Sequence, residues 1–211
     1  MILHGYWRSG ASYRVRIALG LKGLDYEPAA HDLRKGEQKA ADYLALNPQG
    51  MVPALQDGDR ILIQSPAILE WLEETHPEPP LLPQAADDRA QVRAMAALVG
   101  CDIHPLNNLR VLRSLRNDFG ADQQTVDAWA ARWIAPGFDA LETLVRRDGA
   151  GWSFGDAPTL ADCYLIPQLY SARRFNLGLK PWPALLAVEA RALDHPAFVA
   201  AHPDRQPDAD A

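Results

Sequence analysis

The sequence predicts an α/β domain of order βαβαββα followed by an all-helical domain, and three observations carry that prediction. Strand and helix signals alternate at short intervals over residues 1–80, four prolines (Pro77, Pro79, Pro80, Pro83) then fall within seven residues, and strand signals vanish from Asp87 onward. The expected boundaries are therefore 1–80 for the first domain and 87–211 for the second, with the proline-rich stretch as linker.

Each element has its own signal. Ile2 to Tyr6 is a short strand that runs into Trp7-Arg8-Ser9-Gly10. A helix starts just after Ser9: Val15, Ile17, Ala18, Leu19 and Leu21 give it a broad apolar face, and Gly23 stands where a C-terminal cap belongs. Tyr26 to His31 is a second strand, and Pro28, which lacks a ladder donor, puts it at a sheet edge. Ala40 to Leu46 is a short helix stopped by Asn47-Pro48. Val52 to Leu55 and Arg60 to Ile63 flank Asp57-Gly58-Asp59 as a hairpin. Ser65 is expected to cap the next helix, with Pro66 at its first position, where a missing N–H does no harm.

Beyond the linker, Val92, Met95, Ala96 and Val99 recur at helical spacing, as do Trp129, Trp133, Leu141 and Leu144. Pro105 and Pro136 predict kinks or helix ends within those stretches. Thr159-Leu160-Ala161-Asp162 has the spacing of a capping box, with Asp in place of the usual Glu, before the buried-helix run Cys163 to Leu169. Asp208 to Ala211 is polar and expected to fray.

Composition bounds the function. With 211 residues, 48% hydrophobic and 23% charged, and no apolar run of about eighteen residues, the chain reads as a soluble globular protein rather than a disordered or membrane-spanning one. The net charge of −6 argues against broad nucleic-acid binding but leaves room for a local cationic pocket. No cationic leader precedes an apolar stretch at the N-terminus, so the expected location is the cytoplasm. Cys101 and Cys163 lack the paired spacing of a zinc or redox site and are expected as two buried thiols. The six histidines show no His-x-x-x-His spacing, so no metal is expected. Trp129, Trp133 and Phe138 are expected in the core, and Arg14 and Arg16 in structural ion pairs or solvated contacts.

The domain order, the linker and the run Trp7-Arg8-Ser9-Gly10-Ala11-Ser12-Tyr13-Arg14-Val15-Arg16 together resemble the glutathione transferase superfamily, with its thioredoxin-like N-terminal domain, and its zeta class in particular. The resemblance extends through Asn47-Pro48, Val52-Pro53, Gln64-Ser65, Pro105 to Asn108, Thr159 to Asp162 and Arg173-Arg174-Phe175. Gly10 and Ala11 replace the Ser and Cys of the usual zeta-class triplet, so thiol-dependent variations of the site are absent, while Ser9 is retained. The Ser-Gly pair, with Ile103 to Asn108, looks more like bacterial maleylpyruvate isomerases than animal maleylacetoacetate isomerases.

That resemblance implies glutathione as a recycled cofactor and a small anionic maleyl keto acid as substrate. Ser9 would sit beside the glutathione sulfur, with Gly10 and Ala11 opening the helix whose orphan N–H groups favour an anion. Gln64 and Ser65 would hold the γ-glutamyl end, and the Val52 backbone, before a cis proline, would pair with the cysteinyl unit. Gln38, His104 and Asn108 match further glutathione contacts, and Asp102 would reach a partner subunit's ligand. Arg8, Arg110 and Arg174, with Asn108 as neutral donor, are the candidates for a dianionic substrate, and Arg8 joins Ser9 in the catalytic pair. The family habit implies a homodimer with sites at the domain cleft. Two other readings stay open: a general conjugating or dehalogenating transferase acting on α-halo acids, and a non-catalytic glutathione-fold binding protein, against which Ser9 argues.

Overall fold

A computed structural model describes residues 1–210 of the chain. Its elements are β1 (Ile2–Gly5), α1 (Gly10–Leu21), β2 (Glu27–Ala30), α2 (Ala41–Leu46), β3 (Ala54–Asp57), β4 (Arg60–Ile63) and α3 (Ser65–Thr75), the expected βαβαββα order, followed only by helices. Those are α4 (Ala86–Ala97), α5 (Leu109–Phe119), α6 (Gln123–Asp148), α7 (Leu160–Arg174), α8 (Pro183–Leu193) and α9 (Pro196–Ala201). The chain divides into two compact units, one of Met1–Leu81 with the residues from Leu193 onward, the other of Leu82–Ala192.

In the first unit the strands lie in the order β2-β1-β3-β4. β1 pairs with β2 in parallel, which requires a crossover, and α1 supplies it. β3 and β4 form the expected hairpin, closed by the pair Asp57 and Arg60 around Gly58 at φ 59°. β2, with Pro28, is an edge strand. β3 begins at Ala54 rather than Val52, after the cis Val52–Pro53 peptide.

α1 ends as a Schellman motif: Leu24 N–H donates to Leu19 C=O (2.9 Å), Gly23 N–H to Gly20 C=O (3.2 Å), and Gly23 takes φ 64°. Lys22, at this end, is buried. Its ammonium contacts Glu73 Oε2 at 2.8 Å and donates to the carbonyls of His76 (2.7 Å) and Pro79 (3.1 Å), while the same Glu73 oxygen accepts from Leu81 N–H (3.0 Å). The first part of the proline-rich stretch expected as a linker, up to Leu81, is therefore bound to the first unit by a satisfied buried charge.

The chain from Leu193 onward was expected with the helical domain but folds with the first unit. The reason lies in the breadth of α1's apolar face. α3 and α9 both pack against α1, and Gly20 lets α9 approach so closely that a Cβ there would stand 3.2 Å from Ala197 Cβ. The polar residues beyond are not frayed either: Asp208 Oδ2 accepts from Trp7 N–H (2.9 Å), and Asp210 pairs with Arg34 (2.6 Å). Ala211 lies outside the described residues.

In the second unit α7 is the buried helix, with Leu160, Cys163, Leu165, Ile166 and Leu169 all shielded. Asp162 is fully buried and accepts from the N–H of Ser153 (2.9 Å) and from the N–H (2.8 Å) and hydroxyl (3.0 Å) of Thr159. Burial raises its pKa and these donors oppose the rise. α6 does not end at Pro136. Phe138 and Ile134 are fully buried beside it, and a Cβ on Gly137 would come within 2.4 Å of Ile103 Cδ1, so packing overrides the proline's preference. Pro105 instead lies in a 3-10 turn, His104–Asn107, that follows a π-helical segment, Leu98–Ile103. Among the described residues no helix is long and apolar enough to cross a membrane, and no group of three or more His, Cys, Asp or Glu is placed to hold a metal ion.

Candidate active site

Strand register gathers the predicted residues of the first unit. His4, Ala54 and Ile63 lie side by side across β1, β3 and β4. Because β1 and β4 exit there while β3 enters, Tyr6 to Ser9, Val52 and Gln64-Ser65 all leave the sheet at one end.

Ser9 N–H donates to Tyr6 C=O (3.0 Å), closing the turn that starts α1. As N-cap, at φ −71° and ψ 118°, Ser9 accepts Ser12 N–H on its Oγ (3.2 Å). An Oγ that accepts inward keeps its own proton to donate outward. Gly10 and Ala11 are the first two helical residues, whose N–H groups have no intrahelical acceptor, and the first turn carries no acidic side chain. A hydroxyl proton and the positive end of a helix thus meet at one place. Arg8 is half-buried, its guanidinium carbon 5.2 Å from the centre of the Trp7 ring.

The second helix start differs from expectation by one residue. Gln64, not Ser65, is the N-cap of α3, and it makes no side-chain capping bond. Gln64 holds φ 69° and ψ 115°, a conformation that non-glycine residues rarely adopt, and its side-chain amide donates to the side chain of Gln49. Ser65 is buried inside the first turn and its Oγ accepts from Arg14 Nη1 (3.4 Å) rather than from the helix backbone. Arg14 and Arg16 are both buried, and Arg16 donates to the carbonyls of Trp7 (2.9 Å) and Ala201 (3.0 Å). The sequence alone predicts structural ion pairs or solvated contacts for both. The signal available was their position inside the apolar face of α1.

Gln38 lies in a 3-10 turn, Glu37–Lys39, with its Oε1 buried and without a hydrogen-bond partner. Met51 C=O, next to Val52, accepts from Tyr43 Oη (2.7 Å) and Asn47 Nδ2 (2.7 Å). Burial pushes the Tyr43 phenol up to about 12, which keeps it a donor. Behind Tyr43 stand His31, its ring centre 4.2 Å away, and His4, whose Nδ1 is 3.1 Å from His31 Nε2.

Burial lowers the His31 pKa, neighbouring His4 adds to the fall, and Glu37 and Asp42 oppose it. A depressed histidine contributes stability that is present above its unfolded value of about 6.5 and is lost as pH falls toward the folded value. Thermal melts should therefore show a steeper loss between about pH 7 and 5 in the parent than in His31→Gln. Parallel curves would remove His31 from the account.

The remaining candidates belong to the helical unit. Asn108 N-caps α5, its Oδ1 accepting Arg110 N–H (3.1 Å), which turns the oxygen toward the helix and leaves its amide N–H groups to serve a ligand. Arg110 is exposed in the first turn of α5. His104 opens the 3-10 turn, and Asp102 is exposed in the π-helical segment. Arg174 is exposed at the last residue of α7, and its neighbour Arg173 pairs with Glu189 (2.6 Å). Two expectations fail here: Cys101 is exposed while Cys163 is buried, and Trp133 is 39% exposed, stacked edge-on against Trp129 rather than in the core.

Comparison with known proteins finds relatives over the whole chain. The N-terminal domain of glutathione S-transferases matches residues 3–80 and the C-terminal domain residues 123–197. A maleylpyruvate isomerase of a Ralstonia species is 55% identical over 210 residues, covering 99% of both chains. A holo structure of maleylpyruvate isomerase, described as a bacterial zeta-class glutathione S-transferase, superposes with a TM-score of 0.98 at 55% identity, covering 100% of both chains. A maleylacetoacetate isomerase from Anaeromyxobacter dehalogenans with glutathione in its active site gives a TM-score of 0.90 at 51% identity, covering 99% of this chain and 97% of that one.

Proposed function

Because this chain belongs to the glutathione S-transferase family, we propose that it is a glutathione-dependent cis–trans isomerase, taking a maleyl keto acid, maleylpyruvate or maleylacetoacetate, to its fumaryl isomer. The observation that carries this reading is Ser9: an N-capping hydroxyl with its proton free, at the start of a helix with no acidic first turn. Relatives that share the full length carry the same activity in their names, and one of them holds glutathione.

The residues suit glutathione. Two helix starts, at Ser9 and at Gln64-Ser65, open at one end of the sheet, and Gln38 Oε1 is a buried acceptor without a donor. When bound, glutathione supplies a thiol whose anion adds to the cis double bond and departs after rotation. Ser9 Oγ and the N–H groups of Gly10 and Ala11 stabilise that thiolate, which in a free thiol reaches half the population only at about pH 8.5. Gln64, Ser65 and the start of α3 take the γ-glutamyl carboxylate, the Val52 backbone takes the cysteinyl unit, and Gln38, His104 and Asn108 take the remaining polar groups. Arg8, Arg110 and Arg174 hold the substrate's negative charge. A cytoplasmic homodimer, with Asp102 reaching the ligand of the second copy, belongs to the same reading, and sedimentation at twice the chain mass checks it.

The test is an ultraviolet assay on maleylpyruvate and maleylacetoacetate in parallel, each with and without glutathione. Rapid glutathione-dependent loss of one cis isomer is expected, and no turnover of either acid would overturn the assignment. Arg174→Ala should slow isomerisation about ten- to a hundredfold, the worth of one charged hydrogen bond, and slow conjugation of a neutral acceptor far less. Equal losses would favour a general transferase.

A further inference from the structure

The backbone of Trp7 is held at both of its peptide groups. Asp208 Oδ2 accepts its N–H at 2.9 Å, and Arg16 Nη2 donates to its C=O at 2.9 Å. Arg16 spans from there to Ala201 C=O (3.0 Å), so the carbonyl grip is tied to the end of α9. The segment carrying Asp208 is anchored beyond it as well: Asp210 pairs with Arg34 (2.6 Å), which also chelates Asp32 (2.8 Å) and lies 5.9 Å from the centre of the Tyr6 ring. Arg34 holds the Asp32 carboxyl down at about 2, so the Asp32–Arg34 pair stays ionised throughout the neutral range. Every one of these contacts lies within the first unit.

Trp7 precedes Ser9 by two residues, in a turn whose backbone is otherwise closed by Ser9 N–H to Tyr6 C=O. The turn carries no regular secondary structure of its own, so its geometry depends on what holds its peptides. We propose that Asp208 is a positioning residue for the thiolate site, a side chain from the far end of the sequence that fixes, through Trp7 N–H, where Ser9 Oγ stands. This rests on the reading of Ser9 given above. A charge-assisted bond to a backbone N–H is short and directional, and thiolate stabilisation is sensitive to displacements of a few tenths of an ångström in its donor.

The experiment is an ultraviolet titration of the thiol of glutathione bound to the full-length protein, in the parent, Asp208→Ala, Asp208→Asn and Ser9→Ala, with thermal melts beside it. Asp208→Ala should raise the thiol's midpoint by about half to one pH unit, cutting the thiolate fraction about three- to tenfold at pH values well below that midpoint. Asp208→Asn, whose amide oxygen still accepts from Trp7 N–H, should restore the parental midpoint. A purely structural residue would lower the melting temperature and leave the midpoint unmoved, which overturns the proposal. A midpoint that falls in both Asp208 variants makes the carboxylate's charge the active property and overturns it too. If Asp208→Ala does not fold, Asp208→Glu, which displaces the acceptor by one methylene and keeps the charge, should raise the midpoint in its place. Should Ser9→Ala leave the thiol unshifted, the reading of Ser9 fails and the proposal falls with it. A shift in Ser9→Ala without one in the Asp208 variants overturns the proposal alone.

Discussion

Ser9→Ala is expected to raise the thiol pKa of bound glutathione by one to two units and to slow turnover about ten- to a hundredfold at pH values well below the parental midpoint. A hydrogen bond to a charged group is worth about 1.5–3 kcal/mol, and one pKa unit corresponds to about 1.4 kcal/mol, so the two figures are one effect read twice. Some of the apparent loss will be structural, because Ser9 Oγ also accepts Ser12 N–H at 3.2 Å and caps α1. Losing a serine cap for alanine costs about 1 kcal/mol of stability, while glycine at the same position costs only a few tenths. Ser9→Gly therefore separates the roles: it keeps most of the stability and should lose as much rate as Ser9→Ala. The deficit should also shrink as the pH is raised above the free thiol's value of about 8.5, where no help is needed to ionise it. A rate unaffected by either substitution, or a deficit that does not depend on pH, would show that the helix N-terminus alone activates the sulfur.

The residues that were legible in advance share a physical property: their signal is local. Ser9 reads as a cap because a hydroxyl stands before a helix, Gly23 because the αL position tolerates it, and Thr159 with Asp162 because three residues separate a donor from an acceptor. The misplaced features are decided at a distance. The cap of α3 moved from Ser65 to Gln64 because Arg14, far away in sequence, engages the Ser65 hydroxyl. α6 passes through Pro136 because Ile134 and Phe138 are buried beside it, and no periodicity reports that. Asp208 belongs to a polar tail, and nothing within its neighbourhood in sequence reveals that its acceptor meets Trp7 N–H. The same holds for residues 193 onward, whose place on α1 is set by the width of that helix's apolar face and by the lack of a side chain at Gly20.

Asp162→Ala should be the most damaging single substitution for stability, at about 3–5 kcal/mol. Its carboxylate is fully buried and satisfies three donors at once, the N–H of Ser153 and the N–H and hydroxyl of Thr159, and alanine strands all three away from water. The same side chain opens α7, the helix on which Cys163, Leu165, Ile166 and Leu169 enter the core of the second unit, so its loss loosens the element that organises that core. Burial raises the carboxyl's pKa, so ionised Asp162 is a cost that only these donors offset; deleting the acceptor removes the cost but leaves the donors unmatched. Asp162→Asn tests that balance. One amide oxygen can still accept from Thr159, but its NH2 would face Ser153 N–H, donor against donor, so its stability should fall between the parent and alanine. Urea unfolding of the three proteins checks the order, with equal slopes required for the midpoints to be compared, and a melting temperature lowered by about 10 °C in the alanine variant is expected for a chain of this size. If alanine costs less than about 1 kcal/mol, a water or a neighbouring carbonyl accepts these donors as well as the carboxylate does, and Asp162 is only one of several ways to start α7.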